Sequence, residues 1–329
     1  AYKIYVGEAR EERVLPNVVN TARFIWLVSI VYLVLGSTIL AFIAQAEGVS
    51  KGTSFFHGVC IFMAAFDTGG FAPQSQNILY YHSFPFELVT ITLMLLGAIN
   101  FKLHYSLWTG NKKEIFKNIE TVTLFISIMI IFLFTALGLR RAGVYPEVFT
   151  LFRKGFYQLI SAHTGTGYMT IYAKQFIRQW SGLAFMGIIL AMSLGGATSS
   201  TTGGIKVLRL RIFLKALAGE IKRIILPESS VSVQKIHHIK EVILEDKQIR
   251  TSLLIFLMYL GLYILGAMIG CFCGYPLPQA LFESVSAGAN VGLSCGITNP
   301  SMPILLKITY IFQMWVGRLE FVSIFTLFG

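Results

Sequence analysis

The chain has 329 residues, of which 55% are hydrophobic and 13% are charged, and its formal net charge is +11. Soluble domains carry about 25% charged residues, so this composition excludes an ordinary soluble globular protein. A basic net charge is also found in nucleic-acid-binding proteins. Here, however, the basic residues lie between long apolar runs, which argues against that function.

Long apolar runs alternate with short polar segments along the chain. Runs of about 20 apolar residues match the hydrocarbon core of a bilayer, about 30 Å thick, and predict an all-α polytopic membrane protein. The first 22 residues are polar, of mixed charge and without an initiator Met. They lack the features of a signal peptide, so we interpret residues 1–22 as a cytoplasmic segment within a longer protein.

The remaining residues predict one unit repeated three times, at 23–108, 109–218 and 250–329, with a basic cytoplasmic linker at 219–249. Each unit is predicted to contain a crossing helix, a short re-entrant pore helix, a polar loop and a second crossing helix. The predicted crossing helices cover residues 23–45 and 84–108, 119–139 and 179–218, then 250–272 and 303 onward. The predicted pore helices cover residues 53–66, 147–163 and 278–289.

The distribution of positive charge supports this topology. If the polar loops face outward, eighteen of the 27 Lys and Arg residues lie in cytoplasmic segments, as the positive-inside rule requires. The charge then sets the topology, although the basic linkers are also candidates for binding anionic lipid. Two outer pairs, Arg140-Arg141 and Arg153-Lys154, do not fit the rule.

The polar loops share a sequence pattern, found in Ala65–Phe71, Ala162–Tyr168 and Ala287–Leu293. In each, an Ala lies five residues before a Gly that is followed by a large apolar residue. Irregular backbone is tolerated at membrane depth only where it is buried or lines a water-filled cavity, and exposed carbonyls can replace the hydration shell of an ion. The pattern therefore predicts an ion-selective filter formed by Thr68, Gly69, Gly70, Phe71, Thr164, Gly165, Thr166, Gly167, Tyr168, Asn290, Val291, Gly292 and Leu293. The alternative role of the glycines is close helix packing.

The residues of the three loop segments are mostly neutral, and Asp67 is the acidic residue among them. Pore helices that end at these loops would direct the negative ends of their dipoles toward the pore. Together these features favour a dehydrated monovalent cation. They do not distinguish potassium from sodium.

Two further features interrupt apolar runs. The stretch Gly195–Gly204 is polar and flexible, and it is either a gate or a simple helix break. It lacks the Gly-Lys-Ser/Thr order of a phosphate-binding loop, which excludes nucleotide binding there. Arg318 is a basic residue inside the last apolar run, and such a charge usually faces a pathway or a partner. The alternative is an ion pair with Glu320, although residues two apart on a helix do not face each other.

Enzymatic chemistry has little support in the sequence. Neither a Ser/His/Asp arrangement nor a His-Glu-x-x-His motif is present. The four cysteines lack the spacing of a zinc site, and we interpret them as small apolar residues.

Four segments resemble a known family. They are Tyr5–Glu12, Thr68–Phe71 followed by Met94–Phe101, Gly195–Val207, and Gly317–Glu320. Together they are similar to the Trk/Ktr/HKT superfamily of potassium transporters, and most closely to its bacterial TrkH type. The resemblance extends over essentially the whole chain.

The resemblance implies that potassium is the transported substrate, held at the filter carbonyls without another cofactor. It implies a homodimer in the inner (cytoplasmic) membrane, bound at its cytoplasmic face by nucleotide-binding regulatory subunits of the TrkA/KtrA type. It further implies a gate made by Gly195, Gly196, Thr198, Ser199, Ser200, Thr201, Thr202, Gly203, Gly204 and Arg318.

The superfamily builds one pore from four repeats, and this sequence contains three, without the first. We therefore expect a fragment, which would be inactive by itself, and the alternative is a three-repeat protein that completes its pore with another chain. A secondary transporter for sodium or another solute remains a further alternative. Proton coupling in such a transporter would need an intramembrane carboxylate, and the apolar runs offer no good candidate.

Overall fold

The computed structural model describes residues 18–225, 235–238, 240–321 and 324. This part of the chain is predominantly helical and contains one short strand pair, so the predicted all-α fold is confirmed. Most of the predicted leading segment, including Tyr5–Glu12, lies outside the described residues, as does the middle of the basic linker.

The first unit contains a long helix, a short helix and a bent pair. Helix α1 (Val18–Ala46) is long and apolar enough to cross a membrane. Helix α2 (Lys51–Phe66) is the predicted pore helix, and it packs between α1 and α3 (Phe84–Ala98). Helix α4 (Phe101–Trp108) follows.

The prediction of a single crossing helix at 84–108 was wrong. Helices α3 and α4 meet at an angle of 104°, because the backbone is extended at Ile99 and Asn100. The Asn100 side chain accepts a hydrogen bond of 2.8 Å from the backbone N–H of Lys102, which is an N-cap that begins a new helix. One Asn between two apolar segments therefore changes the direction of the chain.

The second unit follows the same order with two interruptions. The short α5 (Glu114–Lys117) precedes α6 (Ile119–Arg141), which is long and apolar enough to cross a membrane. The next helix, α7, joins Val148–Thr150, a π-helical segment at Leu151–Phe156, and Tyr157–His163. The last segments are α8 (Ala173–Arg178), α9 (Gly182–Ser193), an irregular stretch at 194–206, and α10 (Val207–Ile225).

The third unit contains α11 (Asp246–Phe272), a further crossing candidate, then α12 (Leu277–Gly288) and α13 (Ile304–Arg318). Before it, β1 (Lys235–His238) pairs antiparallel with β2 (Lys240–Ile243). The sequence analysis did not predict this hairpin in the basic linker.

The core of the protein lies around the pore helices. All seven residues of Tyr157–His163 are buried, whereas the long helices carry exposed apolar side chains such as Trp26 and Phe42. A helix bundle with an apolar outer surface is the arrangement expected in lipid.

One outer basic residue that did not fit the positive-inside rule has a specific partner. Arg153 Nε and Nη2 donate to the two carboxylate oxygens of Glu87 at 2.8 and 2.9 Å. Nη2 also donates to the carbonyl of His82 at 3.0 Å. Because Glu87 is buried, this bidentate pair ties α7 to α3, and the charge has a structural role there.

Candidate ion pathway

The three loops predicted to form a filter, called the filter loops below, adopt the same backbone conformation. Each has two left-handed positions: the first is Thr68, Gly165 or Asn290, with φ of 54°, 71° and 58°, and the second is Gly70, Gly167 or Gly292, with φ of 68°, 81° and 83°. The sequence pattern identified the second position only. Thr and Asn at the first position hide the correspondence, because only Gly adopts this conformation freely.

Each pore helix also ends in the same way. The backbone N–H of Gly69, Thr166 or Val291 donates to the carbonyl five residues earlier, at Ala64, Ser161 or Ser286, with distances of 2.8, 3.0 and 2.9 Å. Such backward hydrogen bonds satisfy carbonyls that a helix end leaves without partners. The repeat in the sequence is therefore a repeat in structure.

Neighbouring filter loops touch through their backbones. A Cβ atom on Gly70 would lie 1.9 Å from the carbonyl oxygen of Thr166, and one on Gly167 would lie 1.9 Å from that of Val291. Both positions therefore require glycine. In each pair, the Gly of one loop faces the carbonyl that precedes the Gly of the next, so the three loops lie side by side in chain order.

The arrangement is open between the third loop and the first. Among the described residues, nothing lies within 4 Å of a Cβ position on Gly292. A cavity of about 610 Å³ lies there, and both Gly69 and Val291 line it. Phe71 is 80% exposed at this edge, whereas its counterparts Tyr168 and Leu293 are 0% and 1% exposed.

Hydroxyl groups fix the carbonyls that follow the filter glycines. Ser161 Oγ donates to the carbonyl of Tyr168 at 2.8 Å, and Ser286 Oγ donates to that of Leu293 at 2.6 Å. The first unit has Ala64 at this position, and there the hydroxyl of Tyr168 donates to the carbonyl of Ile61 at 2.9 Å and lies 3.3 Å from that of Phe71. The second loop thus supports the first.

The predicted gating stretch lies against the ends of two pore helices. Thr201 Oγ1 donates to the carbonyl of Phe66 at 2.9 Å and lies 3.2 Å from the hydroxyl of Thr68. At Gly203, a Cβ atom would lie 2.3 Å from the carbonyl of Ala289. The stretch therefore contacts the first and third units at the residues where their filters begin.

The first half of the gating stretch fits into the break between α3 and α4. The N–H of Ala197 donates to Ala98 at 2.9 Å, and Ser199 accepts from the N–H of Phe101 at 3.3 Å. Two further bonds lie within the stretch, from Gly196 N–H to Thr202 Oγ1 and from Ser200 Oγ to the carbonyl of Ala197. At its two ends, Gly195 N–H donates to the carbonyl of Ile205, and Gly204 lies near Ala289.

Two residues that sequence reasoning missed hold the gating stretch from outside. Glu120 Oε1 accepts from both the backbone N–H and the hydroxyl of Thr198, at 2.7 Å each. Its Oε2 accepts from the side chain of Asn100 at 3.2 Å. Glu120 and Asn100 are both buried. Glu120 belongs to no motif and Asn100 is part of the segment Met94–Phe101, but only the fold brings the two near residue 198.

Arg318 lies at the end of α13, next to the gating stretch. Its Nη1 donates to the carbonyl of Thr201 at 2.8 Å. Glu320 instead pairs with Arg209 and lies 3.8 Å from the ammonium of Lys206. The alternative role of Arg318 as the local partner of Glu320 therefore has no support, and Arg318 and Asp67 both line the open cavity.

Short helices that end at side-by-side glycine loops, together with an interrupted helix, are typical of one class, that of membrane transport proteins with repeated pore units. A family model described as TrkH, a cation transport protein, matches residues 2–329. The chain belongs to this family of integral membrane transporters and is not an enzyme.

Known relatives agree with this assignment. The chain is 33% identical to an uncharacterized cation transporter of Methanocaldococcus jannaschii, over 100% of this chain and 64% of the relative. It is 26% identical to the Trk system potassium uptake protein TrkG of Escherichia coli, over 98% of this chain and 64% of that protein.

The fold also matches the crystal structure of the potassium transporter TrkH from Vibrio parahaemolyticus, with a TM-score of 0.81 and 21% identity. That match covers 96% of this chain and 65% of the other. The chain thus spans slightly less than two thirds of the length of the relatives that it matches.

Proposed function

We propose that this chain forms the greater part of a potassium uptake pore in the cytoplasmic membrane. The observation that carries the proposal is the contact of the filter loops, in which the glycines at 70 and 167 face the carbonyls of Thr166 and Val291. Extended loops with carbonyl oxygens at close spacing replace the hydration shell of a cation. The name of the Escherichia coli relative, a potassium uptake protein, supports potassium as that cation.

The pore helices favour a cation in this site. Helices α2, α7 and α12 all end at the filter loops, so the negative ends of their dipoles point at the proposed pathway. The side chains at these loops are mostly neutral, which suits a monovalent ion. Ions would shed water at the loops 68–71, 164–168 and 290–293.

The gating stretch and Arg318 form the proposed gate. Arg318 holds the carbonyl of Thr201, and Thr201 in turn bonds the end of the first pore helix. A guanidinium group beside the pathway repels a cation, so conduction requires Arg318 and residues 195–204 to move together. A transporter that has to open and close this gate would also need a signal, and we propose regulatory nucleotide-binding subunits of the TrkA/KtrA type, on a homodimer, as its source.

The open edge at Gly292 supports a second candidate function. A fourth loop beside Gly292 and Gly69 would complete the ring, and without it the 329 residues would form an incomplete pore that conducts no ions. We propose that the missing quarter comes from another segment of a longer protein.

The test is the flux of potassium and sodium into liposomes that contain the purified chain, with Gly167→Ser and Arg318→Gln variants. We expect Gly167→Ser to abolish or alter selective potassium flux, because a side chain cannot fit against the carbonyl of Val291. Arg318→Gln should increase the flux. A Gly182→Ser control should change nothing, because Gly182 has open space around its Cβ position.

Each result has a defined meaning. Potassium flux that Gly167→Ser does not affect contradicts the filter. An absence of flux from correctly inserted protein supports the incomplete pore, and the same variants are then tested in a protein that includes a fourth unit.

A further inference from the structure

The three pore helices differ at one buried position, which in the second and third units contacts the segment that follows the filter loop. This position lies four residues before the Ala of the repeated pattern, and it is Ile61, Gln158 or Glu283. All three side chains are buried. Two of them are polar, which needs an explanation in a helical membrane protein, because a buried polar group is costly without hydrogen bonds.

Glu283 has a complete set of donors in the segment that follows the third filter. Its Oε1 accepts from the backbone N–H of Cys295 at 2.9 Å, from that of Ile297 at 3.2 Å, and from Ser294 Oγ at 2.7 Å. Its Oε2 accepts from Thr298 Oγ1 at 2.6 Å. One carboxylate therefore binds four of the five residues 294–298, directly after the filter loop.

Gln158 makes the corresponding contact in the second unit. Its Nε2 donates to Thr170 Oγ1 at 3.0 Å. Thr170 lies three residues after Gly167, and Cys295 lies three residues after Gly292, so the two contacts join equivalent positions. In the first unit the pair is Ile61 and Pro73, whose side chains cannot form such a bond.

We propose that Glu283 and Gln158 are positioning residues that hold the outer ends of the third and second filter loops and thereby set the preference for potassium over sodium. Glu283 has the larger effect because it binds two backbone amides as well as two hydroxyls. Selectivity depends on the number and placement of carbonyl dipoles around the ion. The buried carboxylate of Glu283, with both oxygens bonded, fixes that placement, and Gln158 contributes one bond. The inference rests on the proposed function of the loops as a filter.

Two variants distinguish positioning of the loop by hydrogen bonds from a simple effect of the negative charge of Glu283. Glu283→Gln keeps an oxygen that can accept from both backbone amides and removes the charge. Glu283→Leu removes the acceptors and copies the apolar character of the first unit. We expect the potassium-to-sodium permeability ratio, measured from reversal potentials, to fall about tenfold in Glu283→Leu, since hydrogen bonds to a charged group are lost, and to change less than about twofold in Glu283→Gln.

Milder variants cover the case in which Glu283→Leu does not fold. The double variant Ser294→Ala/Thr298→Val removes two hydroxyl donors and keeps the carboxylate, and Gln158→Leu removes the single bond to Thr170. Each should lower the permeability ratio about threefold. The control is Ile61→Leu, at the equivalent position of the first unit, where the side chain cannot form a hydrogen bond. It should leave the permeability ratio unchanged.

A second readout does not require transport. Hydrogen exchange at the amides of residues 295–297, followed by mass spectrometry in the purified protein, should accelerate at least about tenfold in Glu283→Leu and remain close to wild type in Glu283→Gln. Equal acceleration in both variants, or a permeability ratio that falls equally in both, would overturn the bracing role. An unselective wild-type flux with normal exchange protection would count against the proposed filter instead.

Discussion

The filter loops and the gating stretch are both irregular segments inside a helical protein, yet they are held in different ways. The filter loops are fixed by backbone contacts, with a loop glycine against a neighbouring carbonyl and hydrogen bonds to the end of their own pore helix. The gating stretch has backbone contacts as well, for example with Ala98 and Phe101, but it also depends on side chains from distant helices, above all Glu120 and Arg318. We therefore expect the loss of these side-chain bonds to loosen the gating stretch and to leave the filter loops in place.

The largest expected effect tests the backbone contacts. Gly167→Ala would place a methyl group 1.9 Å from the carbonyl of Val291, so we expect a loss of about 3 kcal/mol or more from overpacking and strain together. Gly292→Ala has open space among the described residues, and its cost should be about 1–2 kcal/mol from the positive φ alone.

The measurement is the thermal stability of the two purified variants in detergent, compared with wild type. Gly167→Ala should lower the transition temperature by clearly more than Gly292→Ala. Equal losses would mean that the third loop has a neighbour in the purified protein, either a further segment or a second copy, and that the edge at Gly292 is closed.

A smaller effect is expected where side chains hold the gating stretch. Glu120→Ala removes the acceptor for Thr198 and Asn100 and leaves buried donors without a partner, at a cost of about 2–3 kcal/mol. Because Glu120 lies outside the filter loops, its removal should loosen the gating stretch and leave the filter loops in place. A maleimide should then label Ser199→Cys faster in the Glu120→Ala background than in the wild-type background.

The matched control for this prediction is Glu220→Gln. Glu220 pairs with Arg223 on the exposed surface of α10, where an ion pair contributes about 0–1 kcal/mol. That variant should not alter labelling. If Glu120→Ala labels at the wild-type rate while the protein is correctly inserted, Glu120 does not restrain the gating stretch.

The same contrast explains how much the sequence could predict. A filter loop is determined within seven residues, because the Ala-to-Gly spacing and the φ of the glycine are local properties, and the pattern of Ala65–Phe71 identified its two counterparts. The gating stretch was located by its glycines and hydroxyls. Its anchors were not, because Glu120 and Asn100 lie about 80 to 100 residues away in the sequence and only the tertiary fold brings them near the stretch.

The sequence pattern also could not predict the direction that the chain takes after a helix ends. An apolar run gives the length and the environment of a helix, but it does not give the angle at which the chain continues after a cap such as Asn100. Glu87 and Glu283 are likewise unremarkable in the sequence, and their roles follow from partners on other segments.

The smallest expected effect compares the filter loops with one another. Ser286→Ala removes the hydroxyl that donates to the carbonyl of Leu293, and Ser161→Ala removes the one that donates to Tyr168. Each should cost about 1 kcal/mol, measured as a lower thermal transition. Ser161→Ala should also affect the first unit, because the hydroxyl of Tyr168 donates to the carbonyl of Ile61 at 2.9 Å and lies 3.3 Å from that of Phe71. Ala64→Ser, which introduces a hydroxyl where the first unit has none, should offset part of that loss when combined with Ser161→Ala. A double variant no more stable than Ser161→Ala would mean that the first loop depends on the second and cannot be fixed by its own helix.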